Sequence, residues 1–163
     1  MAYHAEPIQT VLVTCRGQSE MMGKSFHRDN IITLDWHMPV SFKPPLYAIS
    51  IGKTRFSHDV IASSKCFVVN FIDQGKREEA LFCGRNSGVH TDKFKETGLG
   101  KEEAEKIDCP RIKKALAYLE CEVEQQIEAG DHTIFVGRIL ESVHLDEGDR
   151  LFHTHGENFL TIR

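Results

Sequence analysis

The sequence has no run approaching the ~18 consecutive apolar residues that a membrane span needs, which excludes a helical membrane protein. It has no C-x-x-C pair. Cys15, Cys66, Cys83, Cys109 and Cys121 are odd in number and widely spaced, so the usual zinc and dithiol motifs are excluded and reduced, mostly structural thiols are expected. No stripe of Lys and Arg runs along any segment: the net charge of −4 is spread over mixed acids and bases, which leaves no nucleic-acid footprint. Repeats, low-complexity stretches and linkers are missing too. The opening residues, Met1 to Pro7, have neither the basic start nor the apolar centre of a signal peptide, so a cytoplasmic protein is expected. Apolar residues make up 40% and charged residues 27%, an ordinary globular balance, and 163 residues fit one domain spanning 1–163.

Nucleotide-binding motifs fail on spacing. Gly23-Lys24-Ser25 follows a strand-like segment, but Gly17 and Gly23 enclose one residue too many for a phosphate-wrapping loop, and no apolar-periodic helix follows. A polar hairpin loop is the better reading. Gly98-Leu99-Gly100 lacks the third glycine and the preceding strand of a dinucleotide fingerprint, and reads as a loop. His153-Thr154-His155 has no Cys or carboxylate at a supporting spacing, so a solvated turn is expected there rather than a metal site.

What is present is mostly strand. Ile8 to Cys15, Asn30 to Trp36, Leu46 to Ile51 and Phe67 to Asn70 are β-branched and apolar. From Leu119 to Glu128 an apolar set (Leu119, Cys121, Val123, Ile127, with Gln125) alternates with Glu120, Glu122, Glu124, Gln126 and Glu128, so one strand face is apolar and the other charged. Gly130-Asp131 turns the chain into a partner strand, Thr133 to Val143. Short helices are expected from Ser57, as an N-cap, to about Ser64; from Gln74 to Cys83, stopped by Gly84; and from Arg111 to Tyr118. Strands with only short helices between them argue for an antiparallel barrel with helices packed outside.

Gly130-Asp131-His132 puts an imidazole beside a turn glycine at a barrel rim, where it could meet a ligand edge. Its neighbours in sequence strengthen that reading. Asn30 to Trp36, Pro39-Val40-Ser41, Pro44-Pro45-Leu46, Arg55-Phe56-Ser57, Phe67 to Asn70, Asp92-Lys93-Phe94, Leu119 to Val123 and Gly130 to Gly137 follow one another in the order of a known pattern. From about Ile8 to Val143, more faintly to Phe159, the chain resembles the flavin reductase-like, FMN-binding split-barrel family, in its flavoredoxin and ferric reductase branch.

The resemblance implies a mainly β fold, a six-stranded Greek-key FMN-binding split barrel in a homodimer. It implies that Asn30 and Trp36 sit at the flavin, and that backbone groups of Thr33, Leu34 and Asp35 meet its ring. Asp35 departs from the pattern, which favours small residues there; a carboxylate beside the reduced ring would disfavour reduction, so its side chain is expected to point away. Ser50, Ile51 and Gly52 match the strand end that approaches the flavin tail. Arg55, Ser57 and Lys93 match phosphate-binding positions, His132 the histidine at the ring edge and catalytic candidate, and Phe159 a C-terminal aromatic cover. Chemistry agrees, since a dianionic phosphate needs cations and hydroxyl or N–H donors, and a flavin ring needs an apolar wall. The implied activity is electron transfer from NAD(P)H, as a transient donor, through FMN to a flavin, ferric or protein acceptor. The alternative is a non-catalytic FMN-binding carrier reduced by a partner protein.

Overall fold

Alternation within single strands explains how the chain builds two cores. In the computed structural model, which describes residues 6–21, 23–145 and 147–162, strand β2 (Val11–Met21) is buried on both faces at its start. Val11, Val13 and Cys15 point into one apolar cluster with Ile49, Ile51, Phe67, Val69, Cys121 and Phe135. Leu12, one residue out of phase, joins Ile31, Ile72, Ala80, Phe94 and Leu151 on the other side. A period of two can serve both because successive side chains leave a strand in opposite directions.

The other main strands are β3 (Lys24–Leu34), β4 (His37–Phe42), β5 (Pro45–Gly52), β6 (Cys66–Phe71), β9 (Ala117–Ala129) and β10 (His132–His144), preceded by the short β1 (Ile8–Gln9). They form one antiparallel sheet in the order β3-β2-β6-β9-β10-β5-β4. Its two outer strands are consecutive in the chain: β3 pairs with β2, β4 pairs with β5, and only Asp35-Trp36 separates them. The sheet thus has seven strands where six were expected; the difference is the bend that divides one long segment into β3 and β4. At that bend the Ser50 N–H donates to the Trp36 carbonyl (2.9 Å).

Helix α1 (Phe56–Ser64) covers the first cluster with Phe56, Val60 and Ile61. Helices α2 (Arg77–Arg85) and α3 (Lys93–Thr97) cover the second. A hairpin of β7 (Lys101–Glu103) and β8 (Pro110–Ile112) and a small sheet, β1 with β11 (Arg150–His153) and β12 (Phe159–Ile162), complete the chain. Among the described residues no helix is long and apolar enough to cross a membrane. All five cysteines are free and buried.

Several expectations are corrected. Ile8 to Cys15 is not one strand: the pairing partner changes from β11 to β3 and β6 across Thr10, whose N–H goes to the Leu151 carbonyl. Arg111 to Tyr118 is not helical, because Pro110 to Ile112 pair with β7, the Ile112 N–H is taken by the Asn70 side chain and Lys114 turns left-handed (φ 64°). Ser57 lies inside α1, whose N-cap is Arg55, so the hydroxyl caps nothing and instead accepts from Asn30. Gly84 lies within α2, not at its stop. Glu120, read on the solvated face of β9, is fully buried and accepts the backbone N–H groups of Glu105 and Lys106. The N-terminal reading at residues 1–5 and the outer limits of the domain lie outside the described residues.

Candidate functional site

The bend between β3 and β4, the end of β5 and the start of α1 enclose a groove. One part, about 200 Å³, is lined by Thr33, Leu34, Asp35, Trp36, Ser50 and His132 among others. The second, about 110 Å³, is lined by Asn30, Ser57, Asn86, Ser87, Gly88 and Lys93 among others. Ile32, Arg55 and Gly84 line both, which makes the two parts neighbours. Topology explains the convergence: a strand that leaves one neighbour for another exposes its backbone and side chains at the point of transfer.

At the first part, the Trp36 and His132 rings lie 4.8 Å apart at 40°, and Trp36 is half exposed. His132 is held by the Asp131 carboxylate at Nδ1 (2.7 Å), and that contact holds the Asp131 carboxyl below its usual range. Gly52 brings the β5 backbone close under the ring: a Cβ there would sit 3.6 Å from His132 Nε2.

At the second part the groups are buried. Asn30 donates its amide N–H to the Ser57 hydroxyl (2.7 Å), while its Oδ1, equally buried, has no partner. Gly88 passes so close that a Cβ would lie 2.3 Å from that oxygen, so only glycine fits. The Lys93 ammonium donates to the Ile31 and Cys83 carbonyls (2.7 Å each), which leaves one of its three protons uncommitted by these bonds. Burial pushes Lys93 down to about 8, with the Arg55 charge adding a smaller push in the same direction. Burial pushes the neighbouring Cys83 thiol up to about 11, so it stands protonated. No side chain caps the first turn of α1, which begins at this part of the groove.

The structure thus brings Asn30, Thr33, Leu34, Asp35, Trp36, Ser50, Gly52, Arg55, Ser57, Lys93 and His132 to one groove. Ile51 turns its side chain into the barrel core. Phe159 lies in an adjoining chamber of about 440 Å³, with Thr33, Asp35, Arg85 and His153, and the Arg77 guanidinium stands 5.8 Å from its ring centre. Sequence reading missed Ile32 and the stretch from Cys83 to Gly88. The signal was there, a polar and glycine-containing run across the end of a helix.

The donor set fits a flavin mononucleotide: a half-exposed indole beside an open groove for the ring, and a buried cation, hydroxyl and unsatisfied amide for a polar tail. An NADH-dependent FAD reductase of Streptomyces globisporus is 33% identical over 104 residues, 62% of this chain and 55% of that protein. The crystal structure of an FMN-binding protein from Thermus thermophilus superposes with a TM-score of 0.85 at 23% identity, over 99% of this chain and 89% of that one. Flavoredoxin from Methanosarcina acetivorans gives a TM-score of 0.79 at 26% identity, over 96% and 86%. A family model, the flavin reductase like domain, matches residues 3–159. The chain belongs to that family.

Proposed function

We propose that the groove binds FMN and that the protein passes electrons from NAD(P)H through it to a flavin, ferric or protein acceptor. The observation that carries the cofactor is the buried, unpartnered Oδ1 of Asn30, a residue that lines one cavity with Lys93 and Ser57. A buried amide oxygen without a partner costs about 1–3 kcal/mol, and a ligand N–H or hydroxyl would recover it. FMN would supply a ring that accepts a hydride and releases electrons singly or in pairs. Trp36 and His132 then wall the ring. Ser50 and Gly52 present the end of β5 to it, and the corner residues Thr33, Leu34 and Asp35 present backbone groups. Arg55, Ser57, Lys93 and the uncapped start of α1 hold the phosphate. The half-exposed Trp36 leaves the ring side open to a transient donor.

The NADH dependence of the Streptomyces globisporus FAD reductase supports NADH as donor. The carrier reading rests on the similarity to flavoredoxin and on the missing dinucleotide fingerprint. A homodimer is part of the proposal, because Trp36, Met38, Val40 and Phe42 are exposed apolar side chains on or next to β4, beside the groove. Acid release and chromatography should yield FMN, and adding NADH or NADPH anaerobically should bleach the yellow protein. FMN without bleaching favours the carrier. FAD, haem or no chromophore after reconstitution overturns the cofactor.

A further inference from the structure

Asp35 and His153 make a pair that the family pattern does not explain. Asp35 sits at the bend, lines the groove and the adjoining chamber, and carries two contacts: the Thr10 hydroxyl donates to Oδ1 (2.7 Å) and His153 Nδ1 stands 2.9 Å from Oδ2. The other His153 nitrogen, Nε2, lies 2.8 Å from the Gly156 carbonyl. Each ring nitrogen thus lies within 3 Å of an acceptor oxygen, an arrangement that suits the imidazolium. His37, the other histidine beside Asp35, is the control. Its Nε2 faces the Gln9 carbonyl and its Nδ1 the Tyr47 hydroxyl, one acceptor and one donor, which suits a neutral ring.

Resting on the flavin reading above, we propose that the His153 imidazolium neutralises Asp35 at the groove wall and so holds the bound flavin at a higher reduction potential than a bare carboxylate would. A carboxylate beside the ring opposes the arrival of electrons. A cation 2.9 Å from it, three-quarters buried, cancels most of that field. The remaining charges around His153 do not replace it. Arg77 lies over Phe159, the ring that packs on His153 at 5.3 Å, and Arg85 is paired with Glu157. His155 is far more exposed and faces Glu6. The pair also ties β11 to the barrel corner through Asp35 and Thr10, which gives the carboxylate a reason to be there. His153 is thus a positioning residue for charge, acting through Asp35.

The test measures two quantities that a purely structural role would leave alone. In the flavin-free protein at neutral pH, nitrogen NMR should show a proton on both His153 ring nitrogens in wild type and on only one in Asp35→Asn. With FMN bound, spectroelectrochemistry at neutral pH should show the His153→Gln potential lowered by about 30 mV, a tenfold loss in relative affinity for the reduced form. Asp35→Asn/His153→Gln, which removes both charges, should return to the wild-type potential. A His153→Gln potential equal to wild type, or a double variant as low as the single one, overturns the proposal. FMN affinity measured by fluorescence separates the two levels: tight binding with unshifted potentials sinks only the charge pair, whereas failure of wild type to bind FMN sinks the flavin reading and this inference with it.

Discussion

Lys93 shows how one side chain joins fold to function. Its ammonium is tied to two backbone carbonyls, yet burial has pushed it down to about 8, so its charge disappears on mild alkalinisation. Below about pH 8 the charged form is available to a phosphate, and above it the attraction is lost. FMN affinity should therefore weaken as pH rises through about 8, while riboflavin affinity stays flat. Lys93→Ala should cost about 1.5–3 kcal/mol of FMN binding, roughly ten- to a hundredfold, with little effect on riboflavin. For folding, the sign is the opposite. The unfolded chain holds the proton up to the ordinary lysine range, so the cost of burying the ammonium is fully present below about 8 and is relieved as pH rises above it. Fluorescence titration with both flavins across pH decides the binding side; a parallel loss for both ligands would assign Lys93 to the fold alone. His132 is the second residue to test. Its ring is a quarter exposed and held by Asp131 in a turn, so His132→Ala should stay folded and retain FMN. Stopped-flow reduction by NAD(P)H should slow by about 1–3 kcal/mol of barrier, the worth of one well-placed donor. A rate within about twofold of wild type, less than ~0.5 kcal/mol, would return His132 to a plain turn residue.

Among the elements, β9 shows best where periodicity stops being informative. Its alternation correctly marked a strand with Cys121 buried and Glu122 and Glu124 facing out, but it put Glu120 in water as well. The residue instead lies under the loop between β7 and β8, where it accepts two backbone N–H groups and meets Arg111 at 3.3 Å. Nothing local in the sequence says that a loop about fifteen residues upstream needs an acceptor there. Glu120→Ala should leave those backbone donors unsatisfied, take one of its acidic partners from Arg111 and cost about 3 kcal/mol, read as a lowered urea midpoint with an unchanged slope. The helix expected from Arg111 to Tyr118 fails for the same kind of reason: Pro110 to Ile112 found a strand partner in β7, and the pairing outweighed a weak local propensity.

At the scale of the whole molecule, the exposed apolar side chains of β4 call for a partner. Met38 and Val40 are about half exposed and Phe42 is almost fully exposed, all on the strand that follows Trp36. Sedimentation should show a dimer for wild type and a monomer for Met38→Asp/Phe42→Asp, with FMN affinity falling alongside because Trp36 directly precedes that strand. A monomeric wild type would contradict the dimer. The barrel itself was legible in the sequence, since strand periods, turn glycines and short helices depend on local chemistry that each segment carries with it. So was most of the groove, because Asn30, Trp36, Arg55, Ser57, Lys93 and His132 belong to an ordered run of motifs. Tertiary structure alone decided the rest. It bent one long segment into β3 and β4, set Asn30 against Ser57 and Gly88, buried Lys93, and gave Asp35 a histidine partner far along the chain. Those contacts are set by where strands change neighbours, and a change of neighbour is a relation between distant segments that no single segment encodes.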